Sequence, residues 1–346
     1  MALFASKAAS TPLDGVDAVL ADLDGVVYAG PNAIPHAVES LNRAHETVRV
    51  GYITNNASRT DEQVAHHLRE LGLHLETVDV VTSPQAAMGM LRDAAPEGST
   101  ILVVGGEGLI NEVQKNGFVV TDSALDKPAA VIQGFAPHVG WKNLAEASFA
   151  LNEREAGYPD GIPWIATNMD WTIPVERGVA PGNGTLVSAV HLATGRLPQV
   201  AGKPELPIFE EANKRFGAKS ALFIGDRLDT DVMGANRAGM KSALVLTGID
   251  QAKQLLAAPA GSRPDFILGD LRELHLPYPA VLHGKKGDVT VGKARISLVA
   301  GKDGMTDLII DREGDSHIDT LRAACAAIWN SGKAIFGFNV PEHLYS

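Results

Sequence analysis

A doubly wound α/β fold is the class this sequence predicts, and three observations predict it. Strand-length apolar runs alternate with segments of helical periodicity, the pattern of a parallel sheet flanked by helices. Several of those runs end in short polar turns, the place where ligands of open α/β sheets bind. The chain, at 346 residues, also exceeds one ordinary domain, so more than one folded unit is expected.

Composition narrows the partners. Hydrophobic residues make up 45% of the chain and charged residues 21%, values of a globular protein and not of a disordered one. The longest apolar stretches, such as Ala18 to Ala21 and Ala221 to Ile224, fall far short of the roughly 20 residues a spanning helix needs, so no membrane partner is expected. A formal net charge of −11 argues against a nucleic-acid partner, whose grip depends on clustered Lys and Arg; an anionic substrate must then be attracted by local groups. The opening stretch, MALFASKAASTPLDG, carries too short an apolar run to read as a secretory signal, and reads as a lead-in. The single Cys325 excludes an intramolecular disulfide and a Cys-based zinc site, fits a cytoplasmic location, and reads as a small buried apolar residue on a helix.

Along the chain, the run Ala18-Val19-Leu20-Ala21 stops at Asp22-Leu23-Asp24-Gly25, so a strand ends in two carboxylates at a glycine-assisted turn. A second run, Val48 to Ile53, ends at Thr54-Asn55-Asn56. Thr60-Asp61-Glu62-Gln63 then forms a capping-box pattern, with Val64, Leu68 and Leu71 at helical spacing and Gly72 suited to the stop. Ser83-Pro84 reads as another cap followed by proline at the first helical position. Thr100 to Val104, Ala130 to Gln133 and Trp164 to Ala166 are further strand candidates. They make a second α/β unit, inserted because the signals at Gly202-Lys203-Pro204 and Ala221 to Asp226 continue the first sheet.

Four short motifs carry the chemistry: Asp22-Leu23-Asp24-Gly25-Val26, Thr54-Asn55-Asn56, Lys203-Pro204 and Gly225-Asp226-Arg227-Leu228-Asp229-Thr230-Asp231. A carboxylate can attack phosphorus when a divalent cation screens the substrate's negative oxygens, and Asp22 is placed to attack. Hard oxygen ligands suit magnesium, with Asp22, Asp226 and a main-chain carbonyl near Asp24 as ligands and Asp231 holding that shell in place. Asp24, two residues on, can protonate the leaving oxygen and then activate water. Thr54 and the amides around Asn55 and Asn56 offer neutral donors to phosphate oxygens, and Lys203 adds a fixed positive charge.

On these motifs the sequence resembles haloacid dehalogenase superfamily phosphatases of the NagD type, over about residues 17–270. The resemblance implies a Rossmann-like core, residues 14–82 and 201–276, with an α/β cap inserted over 83–200. It implies magnesium as cofactor, Asp22 as nucleophile, Asp24 as acid/base and Asp226 as metal ligand. In the cap, Thr167-Asn168-Met169-Asp170 resembles a family stretch that borders the active site, which makes Asn168 and Asp170 candidates for substrate specificity. Gly182-x-Gly184 and Gly105-Gly106-x-Gly108 read as glycines serving turns, not as phosphate loops. His66-His67 reads as a surface or boundary pair, and Asn152-Glu153-Arg154-Glu155 as a solvated helix face.

Beyond Asp270 the pattern ends. Pro277-Tyr278-Pro279 reads as a linker into an α+β extension over 280–346, with strands at Val289 to Val291, Ala294 to Val299 and Leu308 to Ile310 and a helix from Asp319 to Trp329. So short a unit is expected to pack on the core or on another subunit, so that homo-oligomers could form through it or through the cap. Extended actinobacterial members of the subfamily, a glycerol 3-phosphate phosphatase among them, resemble this architecture. Glycerol 3-phosphate is therefore the expected small phosphomonoester substrate. Phosphoglycolate, pyridoxal phosphate or a nucleotide is the alternative, and a phosphomutase or a non-catalytic scaffold is the more distant reading.

Overall fold

The strand Ala18–Asp22 is buried along its whole length and pairs in parallel with Ala221–Gly225, Ala18 opposite Ala221 and Ala21 opposite Ile224. Lys241–Val245 and Phe266–Leu268 continue the parallel order outward. Nearly every side chain of these strands is buried, as a parallel sheet covered on both faces requires. The computed structural model describes residues 10–152, 161–175, 177–285 and 287–345. Residues 1–9 of the lead-in and residues 153–155 of the charged run lie outside the described residues. The chain divides into two compact units, residues 1–49 with 220–346, and residues 50–219. The expected cap, 83–200, falls wholly within the second unit, and the expected core ranges fall in both.

The second unit begins inside the strand Arg49–Thr54, which pairs in parallel with Val80–Thr82. It also holds a five-stranded parallel sheet in the order Gln199–Val200, Trp164–Ala166, Ala130–Gln133, Thr100–Val104, Val119–Thr121. Thr172–Val175 and Gly178–Pro181 pair separately as an antiparallel hairpin. The helix Asp61–Glu70 starts on the expected capping box, Thr60 Oγ1 accepting from the Gln63 N–H. The helix Ser83–Ala94 differs from expectation by one position. Thr82 is its cap, paired with Gln85, and Ser83 is already helical. Thr82 wins because Gln85 stands three residues further on and completes the reciprocal box.

The C-terminal extension forms a five-stranded sheet in the order Val281–His283, Val289–Val291, Ala294–Ala300, Thr306–Arg312, Phe338–Asn339. All its pairings are antiparallel except the last. The helix His317–Asn330 buries Leu321, Ala324, Cys325 and Ile328. These side chains share one apolar core with Leu228, Val232, Leu244, Leu256 and Ile267 of the parallel sheet and its helices. Among the described residues no helix is long and apolar enough to cross a membrane.

The segment Pro277-Tyr278-Pro279, expected as a linker, is held against the parallel sheet through Tyr278. Tyr278 Oη accepts the Ile267 N–H at 2.9 Å, and its ring meets Phe266 edge-on with centroids 5.0 Å apart. The Arg322 guanidinium lies 4.5 Å from the centre of the same ring. Arg322, buried on the helix His317–Asn330, also donates from Nε to the Ile267 carbonyl at 2.9 Å and pairs with Asp319 at 2.8 Å and with Glu273. One cation thus joins the extension to the edge of the parallel sheet. Arg322→Ala removes the partner of two carboxylates and is expected to cost about 3 kcal/mol. Urea unfolding should show a lowered midpoint with an unchanged slope.

Candidate active site

The parallel register places Asp22, at the end of Ala18–Asp22, beside the end of Ala221–Gly225, where Asp226 follows. A single turn of π-helix, Leu228–Val232, then carries Asp231 back toward them. Carboxylate oxygens of Asp22, Asp226 and Asp231 lie within 4.8 Å of one another, and all three residues are buried. Two glycines make room. A Cβ on Gly25, whose φ is +79°, would lie 2.2 Å from Asp226 Oδ2, and one on Gly225 would lie 2.1 Å from Asp231 Cβ. The turn after Asp22 is tied by the Leu23 carbonyl, which accepts the N–H groups of Val27 at 2.8 Å and Tyr28 at 3.1 Å. Asp24 projects from that turn and is exposed.

Main-chain amides hold the acids in place. Asp231 Oδ2 accepts the N–H of Asp226 at 3.2 Å and of Arg227 at 3.1 Å, so it braces the turn on which Asp226 sits. Asp226 Oδ2 accepts the Ile249 N–H at 2.7 Å. Thr247, Gly248, Ile249 and Asp250 all engage this region, and the sequence reading missed them. Their signal was present: a Thr-Gly pair just past the apolar run Lys241–Val245 is one more polar turn at a strand end. Burial holds the Asp250 carboxyl above the usual carboxylate range, against the opposing Leu228 N–H bond.

The second unit gathers the remaining predicted residues. The Asn55 carboxamide pairs with the Lys203 peptide unit from both sides, Oδ1 accepting its N–H at 2.8 Å and Nδ2 donating to its carbonyl at 3.1 Å. Nδ2 also donates to Asp170 Oδ1 at 3.1 Å and Oδ2 at 3.2 Å. The Asn55 carbonyl accepts from Asn168 Nδ2 and from Ser83 Oγ, each at 2.7 Å. Asn168 Oδ1 accepts the Asp170 N–H at 3.1 Å. Thr54, Asn55, Asn168 and Lys203 are buried, and Lys203 precedes a cis Pro204. Asn56 is exposed and its Oδ1 accepts the Ser58 N–H at 2.9 Å. The Asn55 side chain is therefore occupied in holding Lys203 and Asp170, a duty the sequence reading did not foresee.

The glycine runs have local explanations. A Cβ at Gly182 would lie 2.2 Å from the Asp170 carbonyl, one at Gly184 2.3 Å from that of Met169, and one at Gly108 2.1 Å from that of Arg59. They permit close backbone approach, and the first two press against the segment carrying Asn168 and Asp170.

A fold of this kind with this order of motifs has relatives. The family model for haloacid dehalogenase-like hydrolases matches residues 19–119, and one described as HAD-hydrolase-like matches residues 200–274. The chain is 40% identical over 320 residues to D-glycerol 3-phosphate phosphatase of Mycobacterium tuberculosis, covering 92% of this chain and 87% of the relative. It is 34% identical over 236 residues to acid sugar phosphatase of Staphylococcus aureus, covering 67% of this chain and 87% of the relative. The crystal structure of a Mycobacterium tuberculosis glycerol phosphate phosphatase in complex with magnesium superposes with a TM-score of 0.83 at 37% identity, over 96% of this chain and 95% of that one. The chain belongs to the haloacid dehalogenase-like hydrolases.

Asn55→Ala strips both faces of the Lys203 peptide unit and the Asp170 carboxylate of a partner, and is expected to destabilise the protein by about 2–4 kcal/mol. Asn56→Ala, at an exposed position, is expected to cost under about 1 kcal/mol. Denaturant melts of the two variants side by side check the difference.

Proposed function

We propose that this chain is a magnesium-dependent phosphatase that hydrolyses glycerol 3-phosphate through a phospho-aspartate on Asp22. The chain is a phosphoric monoester hydrolase. The observation that carries the chemistry is the buried cluster of Asp22, Asp226 and Asp231 at the ends of adjacent parallel strands. An all-oxygen, all-carboxylate donor set fits a hard divalent cation. Asp22 and Asp226 would hold magnesium, with the Asp24 main-chain oxygen completing the protein's share and Asp231 bracing the turn. Magnesium when bound neutralises the charge of the phosphoryl oxygens.

Asp22 attacks phosphorus, forming the acyl-phosphate bond as the ester P–O bond breaks. Asp24, exposed in the turn two residues on, gives its proton to the departing alkoxide. It then takes a proton from the water that attacks the phospho-aspartate, which releases inorganic phosphate and restores Asp22. Thr54 and the amides at Asn55 and Asn56 bind phosphoryl oxygens, and the Lys203 ammonium balances their charge. In this reading residues 14–82 with 201–276 are the catalytic core, and 83–200 the cap that selects the leaving group through Asn168 and Asp170. The single cysteine, buried on its helix, accords with a cytoplasmic location.

The substrate reading is supported by the extent of similarity. The match to the glycerol 3-phosphate phosphatase reaches across 92% of this chain, whereas that to the acid sugar phosphatase stops at 67%.

Asp22→Asn nearly preserves shape and removes the nucleophile. Turnover should fall below about a hundredth of wild type, at least ~3 kcal/mol in the barrier, with no loss of thermal stability. A folded variant that keeps more activity would refute the covalent route. In a panel of glycerol 3-phosphate, phosphoglycolate, pyridoxal phosphate and uridine monophosphate at one magnesium concentration, kcat/KM should be highest for glycerol 3-phosphate. A competitor better by about tenfold, ~1.4 kcal/mol, overturns the substrate and leaves the phosphatase chemistry standing.

A further inference from the structure

The segment following the strand Lys241–Val245 contacts both acid-bearing loops. Thr247 Oγ1 donates to the Gly25 carbonyl at 2.7 Å, in the turn that carries Asp24. Gly248 packs so closely on Asp226 that a Cβ would lie 2.0 Å from its Oδ2. The Ile249 N–H donates to Asp226 Oδ2 at 2.7 Å, and the Asp250 N–H donates to the Asp226 carbonyl at 3.0 Å. The Asp250 carboxylate accepts the Leu228 N–H at 2.6 Å, at the first residue of the helical turn that carries Asp231.

An acid just ahead of a helix is ordinarily a cap, but Asp250 does not serve that end. The helix Ala252–Leu256 is capped by Gln251, which forms a reciprocal box with Gln254. Nor does the Asp250 carboxylate belong to the cluster of Asp22, Asp226 and Asp231. Its bond runs to the backbone of the turn between Asp226 and Asp231.

We infer that Asp250 is a positioning residue for divalent-cation binding, acting through the Leu228 amide to fix the turn that sets Asp226 and Asp231 relative to Asp22. Its main chain secures Asp226 from one end and its side chain secures Leu228 from the other, so Arg227, the one residue between the bonds, has little backbone freedom. Thr247 extends the same brace to the loop after Asp22. The useful property of Asp250 is its acceptor oxygen, not its charge, since a further negative charge beside three carboxylates adds only repulsion.

The inference rests on the magnesium-dependent phosphatase reading, and the experiment separates the two. Magnesium binding to the full-length chain is measured by calorimetry for wild type, Asp250→Ala and Asp250→Asn, with thermal melts in EDTA and magnesium activation curves alongside. Asp250→Ala should weaken magnesium binding by about tenfold, with a smaller change in substrate KM at saturating magnesium. Asp250→Asn, which retains an acceptor oxygen, should stay within about threefold of wild type. Equal affinity in Asp250→Ala and wild type, or equal losses in the Ala and Asn variants, would overturn the inference alone. A wild-type chain that binds no magnesium would overturn the metal-dependent reading beneath it. If Asp250→Ala does not fold, Asp250→Glu replaces it. That variant keeps the charge but displaces the acceptor by one methylene, and must bind magnesium more weakly than Asp250→Asn for the inference to stand.

Discussion

Three buried carboxylates within 4.8 Å of one another are the constraint around which this fold is organised. At an effective dielectric constant of about 20, each pair of charges at that separation repels by roughly 3 kcal/mol, and the chain must hold the acids together nonetheless. Dipoles supply part of the answer. The amides of Asp226, Arg227 and Ile249 point at Asp231 and Asp226, and hydrogen bonds to an ionised acceptor are about twice as strong as neutral ones. Closeness supplies the rest, because Gly25, Gly225 and Gly248 let backbone approach where a methyl group would collide with a carboxylate. A divalent cation turns the same arrangement from repulsive to attractive, which is why the donor set reads as a binding site and not as a strained surface.

Much of this could be read in the sequence because it is local. Thr100–Val104, Ala130–Gln133 and Trp164–Ala166 are strands over the residues their runs mark, since their central side chains are apolar and buried. The Thr60 box formed as written because both its bonds lie within four residues. What escaped is contact between distant positions. Nothing near Asn55 foretells that its carboxamide grips a peptide unit 148 residues away, and nothing near Tyr278 announces Arg322 above its ring. Asp250 drew no reading from the sequence, and its bond to Leu228 exists only because parallel strands bring two turns to one edge.

The extension shows how sixty-odd residues can be added without needing a complete core of their own. Its helix buries Leu321, Ala324 and Ile328 into a cluster already furnished with Leu244, Leu256 and Ile267. The helix therefore stabilises the edge of the parallel sheet as the sheet stabilises the helix. Arg322 adds direction to that non-directional contact, since a guanidinium with one carbonyl, two carboxylates and an aromatic face to satisfy fits one placement of the helix. The strand Phe266–Leu268 thus has a partner where a sheet edge would otherwise offer unpaired backbone.

A chain of net charge −11 with three buried acids clustered at its strand ends has little general attraction for a phosphomonoester, so attraction must be local and conditional. Lys203 is the only lysine buried among the described residues, and its main-chain N–H and carbonyl are both held by the Asn55 carboxamide. The cation supplies the rest of the positive charge, and in the reading advanced above it does so only where Asp22 and Asp226 are correctly set. Substrate affinity and catalytic competence then depend on the same geometry. In that reading a phosphate ester is held strongly only at a centre already arranged to cleave it, and the net negative charge of the chain disfavours it elsewhere.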